Sequence, residues 1–315
     1  TEALVAHVTS VGFARYLEEQ VAAPASSYPD LPAMPASQQT GCPEGSPTTC
    51  VRDNYTMYPL QVRFFQNALN GDDQLRQRVA LALHEVLVVS GVSVRQPSAM
   101  GPYLNLIQRN ALGSFRTLLE ELTLSPAMGN YRDMVNNPAA VAPSFVPPNE
   151  NFARELLQLF AIGVDLLNED GTAVLDALGR PVPAYGEETV SAFSRVFTGW
   201  TYAALSGTTP RKTNPANFKA PMWLYRDALG RDATHDEGAK ALLDYAGAPH
   251  ALLPAGQDGA DDLDQALENV FRHPNVGPFI GRQLIRRLVT SNPSPGYVAR
   301  VARAFADDGR GARGN

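Results

Sequence analysis

The run Asn149-Glu150-Asn151-Phe152-Ala153-Arg154-Glu155-Leu156-Leu157-Gln158-Leu159-Phe160-Ala161-Ile162 constrains this chain more than any other stretch. Asn151, Arg154, Glu155 and Gln158 recur at i, i+3, i+4 and i+7, which on a helix makes one polar stripe. Phe152, Leu156, Leu159 and Phe160 form an apolar stripe, widened by Leu157 and Ile162. Pro147-Pro148 stiffens the approach, Asn149 can cap the first turn, Glu150 suits the positive helix end, and Gly163 can stop the helix. The spacing therefore predicts a helix that is apolar around more than half its circumference. Its narrow polar sector is either a wet face or a seam buried against other helices. In a seam, Arg154 and Glu155 need partners, because an unpaired buried charge is costly.

A chain of 315 residues has room for one large core or two moderate ones. Charged residues make up 18% and hydrophobic ones 44%, the balance of a well-buried globule rather than a disordered chain. The net charge is −6 and no lysine-rich block occurs, which leaves no electrostatic footprint for nucleic acid. Lys212, Lys219 and Lys240 are the three lysines, so the basic side is almost all arginine. No apolar run is long enough for a membrane helix. Both ends are abrupt, Thr1-Glu2-Ala3 at a helix cap and a Gly/Arg run closing on Asn315, so the chain reads as truncated at both ends. Cys42 and Cys50 lie in a Pro/Ser/Thr/Gly-rich loop with no further Cys or nearby His. They make a poor zinc site and a better disulfide, which implies an oxidising compartment.

Taken in order, residues 3–21 read as a first helix with Gly12 as its weak point. Residues 23–59 are a long irregular excursion that carries both cysteines. Helical periods follow at 60–70, 74–90, 99–112 and 114–124, with Ser125-Pro126 opening another to about residue 135. From Val79 to Val89 only His84 and Glu85 are ionisable, so 74–90 is expected to be central, with His84 either a core histidine bonded to a carbonyl or carboxylate, or a neutral, desolvated imidazole able to act as base or ligand. Residues 136–148 read as a Pro/Ala loop. Asp176-Ala177-Leu178-Gly179-Arg180 ends a short surface hairpin, and the same pentapeptide returns at Asp227–Arg231, predicting two similar turns. Helices are expected again at 187–202, from a Thr234/Glu237 capping box, and at 261–272, 276–289 and 295–306. The capping box would place His235 at a positive helix end and Asp236 beside it. Arg282 and Arg286 share a face at i, i+4, suited to pairing with acidic residues on a neighbouring helix.

Several blocks together resemble the bacterial family known as DUF1800, a domain of unknown function. They include Arg78–Leu83 with Val88-Val89-Ser90, Tyr103–Ile107, Leu124–Gly129, Asn149–Gly163, Arg195–Trp200, His235-Asp236 with Gly238-Ala239-Lys240, His273–Val276, Gly281–Ile285 and Val289–Pro293. The blocks run in order across nearly the whole chain. The resemblance implies an exported protein, periplasmic or extracellular, that continues beyond both ends. It carries no activity, cofactor or metal, and His84 departs from the small polar residue expected there in many relatives.

Gly-x-Ser-x-Gly, P-loop, His-Glu-x-x-His and dinucleotide motifs are absent from the sequence. Two readings follow. In the first, Asn149, Glu150, Asn151, Arg154, Gln158 and Arg282 belong to a polar network in a binding or scaffold module, whose partner would be a protein or a surface polymer. In the second, Glu155 works with His235 and Asp236 as acid and base of an exported hydrolase, with or without a metal on those side chains. Convergence of the three on one cleft separates the readings. The expected fold is all-α: a single helical domain of about ten helices packed around 74–90 and 150–163, with one or two short surface β-hairpins and long irregular loops.

Overall fold

A computed structural model describes residues 2–140 and 146–314. The expected cap at Thr1 and part of the 136–148 loop lie outside the described residues. The first apolar pattern folds as two helices, α1 (Glu2–Val11) and α2 (Phe13–Ala22). They break at Gly12, whose φ of +81° lies in the left-handed region that a continuous helix excludes. The 23–59 excursion is irregular apart from two short helices, α3 (Gln38–Gly41) and α4 (Cys50–Tyr55), and the expected Cys42–Cys50 disulfide joins them. The Tyr55 hydroxyl donates to the carbonyls of Pro35 and Ser37 across the same loop.

Next come α5 (Tyr58–Asn70), α6 (Gln74–His84), α7 (Pro97–Asn110), α8 (Phe115–Thr123) and α9 (Pro126–Tyr131). The helix expected over 74–90 ends at His84. The chain tightens there, Val86 N–H bonding to the Leu83 carbonyl at 3.0 Å, and the following valines favour extended backbone. Val86, Leu87 and Val89 are still buried, and the Tyr103 hydroxyl takes the Leu87 carbonyl. Burial of α6 is one-sided: Gln77, Ala80, Ala82 and Leu83 are buried and Arg78 is exposed.

The organising stretch forms α10 (Asn151–Glu155), which runs straight into a π-helical turn at Leu156–Ala161. Ile162 N–H reaches the Leu157 carbonyl at 3.0 Å. A π turn winds more residues per revolution than an α turn, so the stripes rotate along it. Leu156, Leu157, Phe160, Ala161 and Ile162 are fully buried, whereas Leu159, expected on the apolar stripe, is 43% exposed. The rest of the helical frame is α11 (Glu187–Val196), α12 (Gly259–Arg272), α13 (Val276–Leu288) and α14 (Pro295–Ala306). Phe152 of α10 meets Phe197, just past α11, edge to face at 4.9 Å. The π turn packs on α12 and α13.

Two antiparallel ladders complete the fold: β1 (Trp200–Thr201) with β2 (Trp223–Leu224), and β3 (Lys240–Ala241) with β4 (Leu252–Leu253). Isolated bridges at Leu167–Ala173, Leu175–Pro181 and Asp165–Pro183 mark the expected surface hairpin. The two Asp-Ala-Leu-Gly-Arg stretches fold alike. Asp176 accepts from the amides of Leu178 and Arg180, and Asp227 does the same for Leu229 and Arg231. The class is thus mostly α with short hairpins, as expected. There are fourteen α-helices among the described residues rather than about ten, in part because the first helix splits and the excursion adds two. No helix among the described residues is long and apolar enough to cross a membrane.

Candidate functional site

The N-cap of α10 is Glu150, which makes no side-chain cap bond; Asn149, expected there, lies one place earlier, its Oδ1 accepting the Asn151 N–H at 2.8 Å. Its own backbone is clamped by Asn137, which accepts the Asn149 N–H at 2.8 Å and donates to the Asn149 carbonyl at 3.1 Å. Asn151 then donates to Asp133 at 3.0 Å, so the entry to α10 is sewn to the segment that follows α9.

On the polar stripe each charge has a protein partner. Arg154 pairs bidentately with Glu187 at the start of α11, at 3.0 and 2.7 Å, and reaches back to Glu150 at 3.1 Å. The paired guanidinium holds the Glu187 carboxyl below the usual range. Glu155 turns the other way and meets Arg132 at 2.8 Å, with each side chain less than a fifth exposed. Arg132 stacks on Tyr131, 4.4 Å from the ring centre. Among the described residues, Glu155 Oε2 and Arg132 Nε are buried without hydrogen-bond partners. Gln158 is exposed, rotated outward on the π turn.

His235 and Asp236 lie elsewhere, and no helix starts at Thr234. Tertiary bonds replace the capping box: Thr198 Oγ1 accepts the Asp236 N–H at 2.8 Å, and the His235 N–H bonds to the Asp232 carbonyl at 3.1 Å. The His235 ring is enclosed. Nδ1 faces the Thr198 carbonyl at 2.9 Å, and Nε2 faces Asp262 of α12 at 3.0 Å. A Cβ added at Gly259 would lie 2.9 Å from this ring, so glycine is what lets α12 start against it. Lys240 is also buried and meets the same carboxylate at 2.6 Å. Its ammonium donates further to the carbonyls of Asp236 and Gly238, which uses all three of its protons. Gln257 donates to the other Asp262 oxygen at 2.9 Å.

Asp236 faces Arg195 of α11 bidentately, at 2.8 and 3.0 Å, and accepts the Gly238 N–H. Burial alone would raise its carboxyl, but Arg195, the Gly238 amide and the Lys240 charge together hold it below the usual range. His235 and Asp236 do share the lining of one cavity with Asp227, Arg231, Asp232 and Glu237, and Glu155 is not part of that lining. Among the described residues no three His, Cys, Asp or Glu side chains are grouped to hold a metal ion. Arg282 donates to the Gly171 carbonyl at 3.4 Å, and among the described residues neither it nor Arg286 forms the expected ion pair.

Sequence reasoning missed Arg132, Asp133, Arg195, Lys240, Asp262 and Asn275. Asn275 ties off the end of the π turn, its Nδ2 donating to the Ile162 and Asp165 carbonyls and its Oδ1 accepting the Leu167 N–H. The only signal for Lys240 was its rarity, as one of three lysines in the chain. For Asp262, one acid among several at the start of α12, the sequence carried none.

Fold and site together define a mostly helical protein whose polar clusters join helices and loops through ion pairs and side-chain amide hydrogen bonds. The chain belongs to the family described as "Protein of unknown function (DUF1800)", whose model matches residues 1–312. No curated protein and no solved structure matches it.

Proposed function

We propose that the chain is an exported, single-domain binding or scaffold module, and that the polar network centred on residues 149–158 is its internal frame. The observation that carries this reading is closure. Glu150, Arg154 and Asp236 each face an opposite charge on the protein itself, Glu155 does so through Oε1, and both ring nitrogens of His235 face protein acceptors. An acid or base at work must reach a substrate proton, which groups already occupied in this way do only by giving up a partner. The Cys42–Cys50 disulfide supports export, since such bonds persist in oxidising compartments. Exposed apolar side chains on α1, α2 and α5, among them Phe13, Phe65 and Leu69, support a partner-binding role, with a protein or surface polymer as the partner.

The test is the stability of Asp236→Asn by urea denaturation. If the pair with Arg195 is structural, the variant loses about 2–4 kcal/mol, because the half-buried guanidinium keeps its charge and loses its counter-ion. A variant as stable as the parent would contradict the reading.

A further inference from the structure

Away from this network, helices α5, α6 and α7 line a partly open cavity of about 580 Å³, within the size range of small-molecule sites. Gln77, Ala80, Leu81 and His84 line it at i, i+3, i+4 and i+7, so one whole face of α6 forms its wall. Leu60 and Phe64 of α5 and Leu104 and Ile107 of α7 supply apolar sides. Among the described residues, no lysine, arginine, aspartate or glutamate contributes to the lining.

Among the described residues, two buried polar atoms on residues that line this cavity have no partner, Gln108 Oε1 and His84 Nε2. Gln108 is 3% exposed, and an unmet acceptor at that depth is costly. Its orientation is dictated from behind. Asp73, fully buried, can only accept, and takes Gln77 Nε2 at 3.0 Å. Gln77 is therefore left with its oxygen forward, and that oxygen takes Gln108 Nε2 at 2.9 Å. The relay ends with Gln108 Oε1 as an acceptor awaiting a donor. Burial would raise the Asp73 carboxyl, yet Ser26, through hydroxyl and amide, and Gln77 keep it low, so the relay has one direction. His84 lies two helical turns from Gln77, about 10 Å along α6. Burial lowers its pKa against the opposing pull of Glu85, so it stands neutral at pH 7.

We infer that this cavity is a binding site for a neutral, mainly apolar small molecule that carries a hydroxyl donor, of the alkylphenol or medium-chain alcohol class. Gln108 Oε1 accepts the hydroxyl proton. The apolar tail runs along the face of α6. A fatty-acid anion is selected against, because its carboxylate would meet an acceptor oxygen and no cation.

The experiment is calorimetric titration of the full chain with hexylphenol, hexylbenzene and hexanoate, repeated on Gln108→Met. The expected result is saturable binding of hexylphenol, no detectable binding of hexanoate, and a hexylphenol-to-hexylbenzene affinity ratio that falls about tenfold in Gln108→Met. An unchanged ratio in the variant, equal binding of hexanoate, or no binding of hexylphenol would each overturn the assignment. If Gln108→Met does not fold, the wild-type comparison decides alone: hexylphenol must bind and hexanoate must not. None of these outcomes touches the ion pairs on which the framework reading stands, so the two succeed or fail separately.

Discussion

At the scale of single residues, the buried Lys240–Asp262–His235 cluster is the strongest commitment this chain makes. An ammonium whose protons all meet oxygen, against a carboxylate that also receives His235 and Gln257, has its desolvation offset by good geometry. Removing one member leaves the other charge buried. Lys240→Met is expected to cost about 3–5 kcal/mol in urea denaturation, and adding Asp262→Leu should recover much of it. A single variant within about 1 kcal/mol of the parent would show that water already screens the pair. Gly259→Ala probes the same cluster from outside the charges. Its Cβ would sit 2.9–3.1 Å from ring atoms of His235, so a loss of about 1–3 kcal/mol is expected from overpacking.

At the scale of elements, the π turn after α10 decides what the chain shows to solvent. It buries Leu156 completely and leaves Leu159 nearly half exposed, although both belong to the apolar stripe of an α-helix. Thermal denaturation should find Leu156→Ala destabilised by about 2–5 kcal/mol and Leu159→Gln within about 0.5 kcal/mol of the parent. Equal losses would mean that the stretch is an ordinary α-helix. Most of the helical frame was legible from period alone, because α5, α8 and α12–α14 bury one face against neighbours. The illegible places are those where tertiary bonds outweigh local preference. Thr234 and Glu237 have capping-box spacing, yet Thr198 and Asp232 hold the backbone there in turns. The polar stripe on α10 was legible too, but not its partners, since Arg132 and Glu187 approach from other elements and leave no local pattern.

For the whole molecule, pH dependence follows from burial. Burial, with the nearby Arg313 charge, pushes His273 down to about 4 from 6.5. Its Nδ1 accepts the Asn275 N–H, and a protonated ring could not. With the folded value below the unfolded one, stability is full above pH 6.5 and is lost as pH falls toward 4, by up to about 3 kcal/mol. His84 contributes in the same direction, and the lowered carboxyls of Asp73 and Asp236 add losses below about pH 4. Urea midpoints between pH 7 and 4 should therefore fall more steeply in the parent than in His273→Gln. Parallel slopes would remove His273 as the source.

The central claim is that the polar seam of the organising helix is a frame, and the pair Arg132–Glu155 is where it is most exposed to refutation. A double-mutant cycle of Arg132→Met and Glu155→Gln, read by urea denaturation at pH 7, measures it directly. A frame predicts that both single variants are destabilised and that the two changes interact by at least about 1 kcal/mol. A Glu155→Gln variant as stable as the parent, or more stable, would contradict the claim, since that is how a residue strained for binding or chemistry behaves when it is relieved.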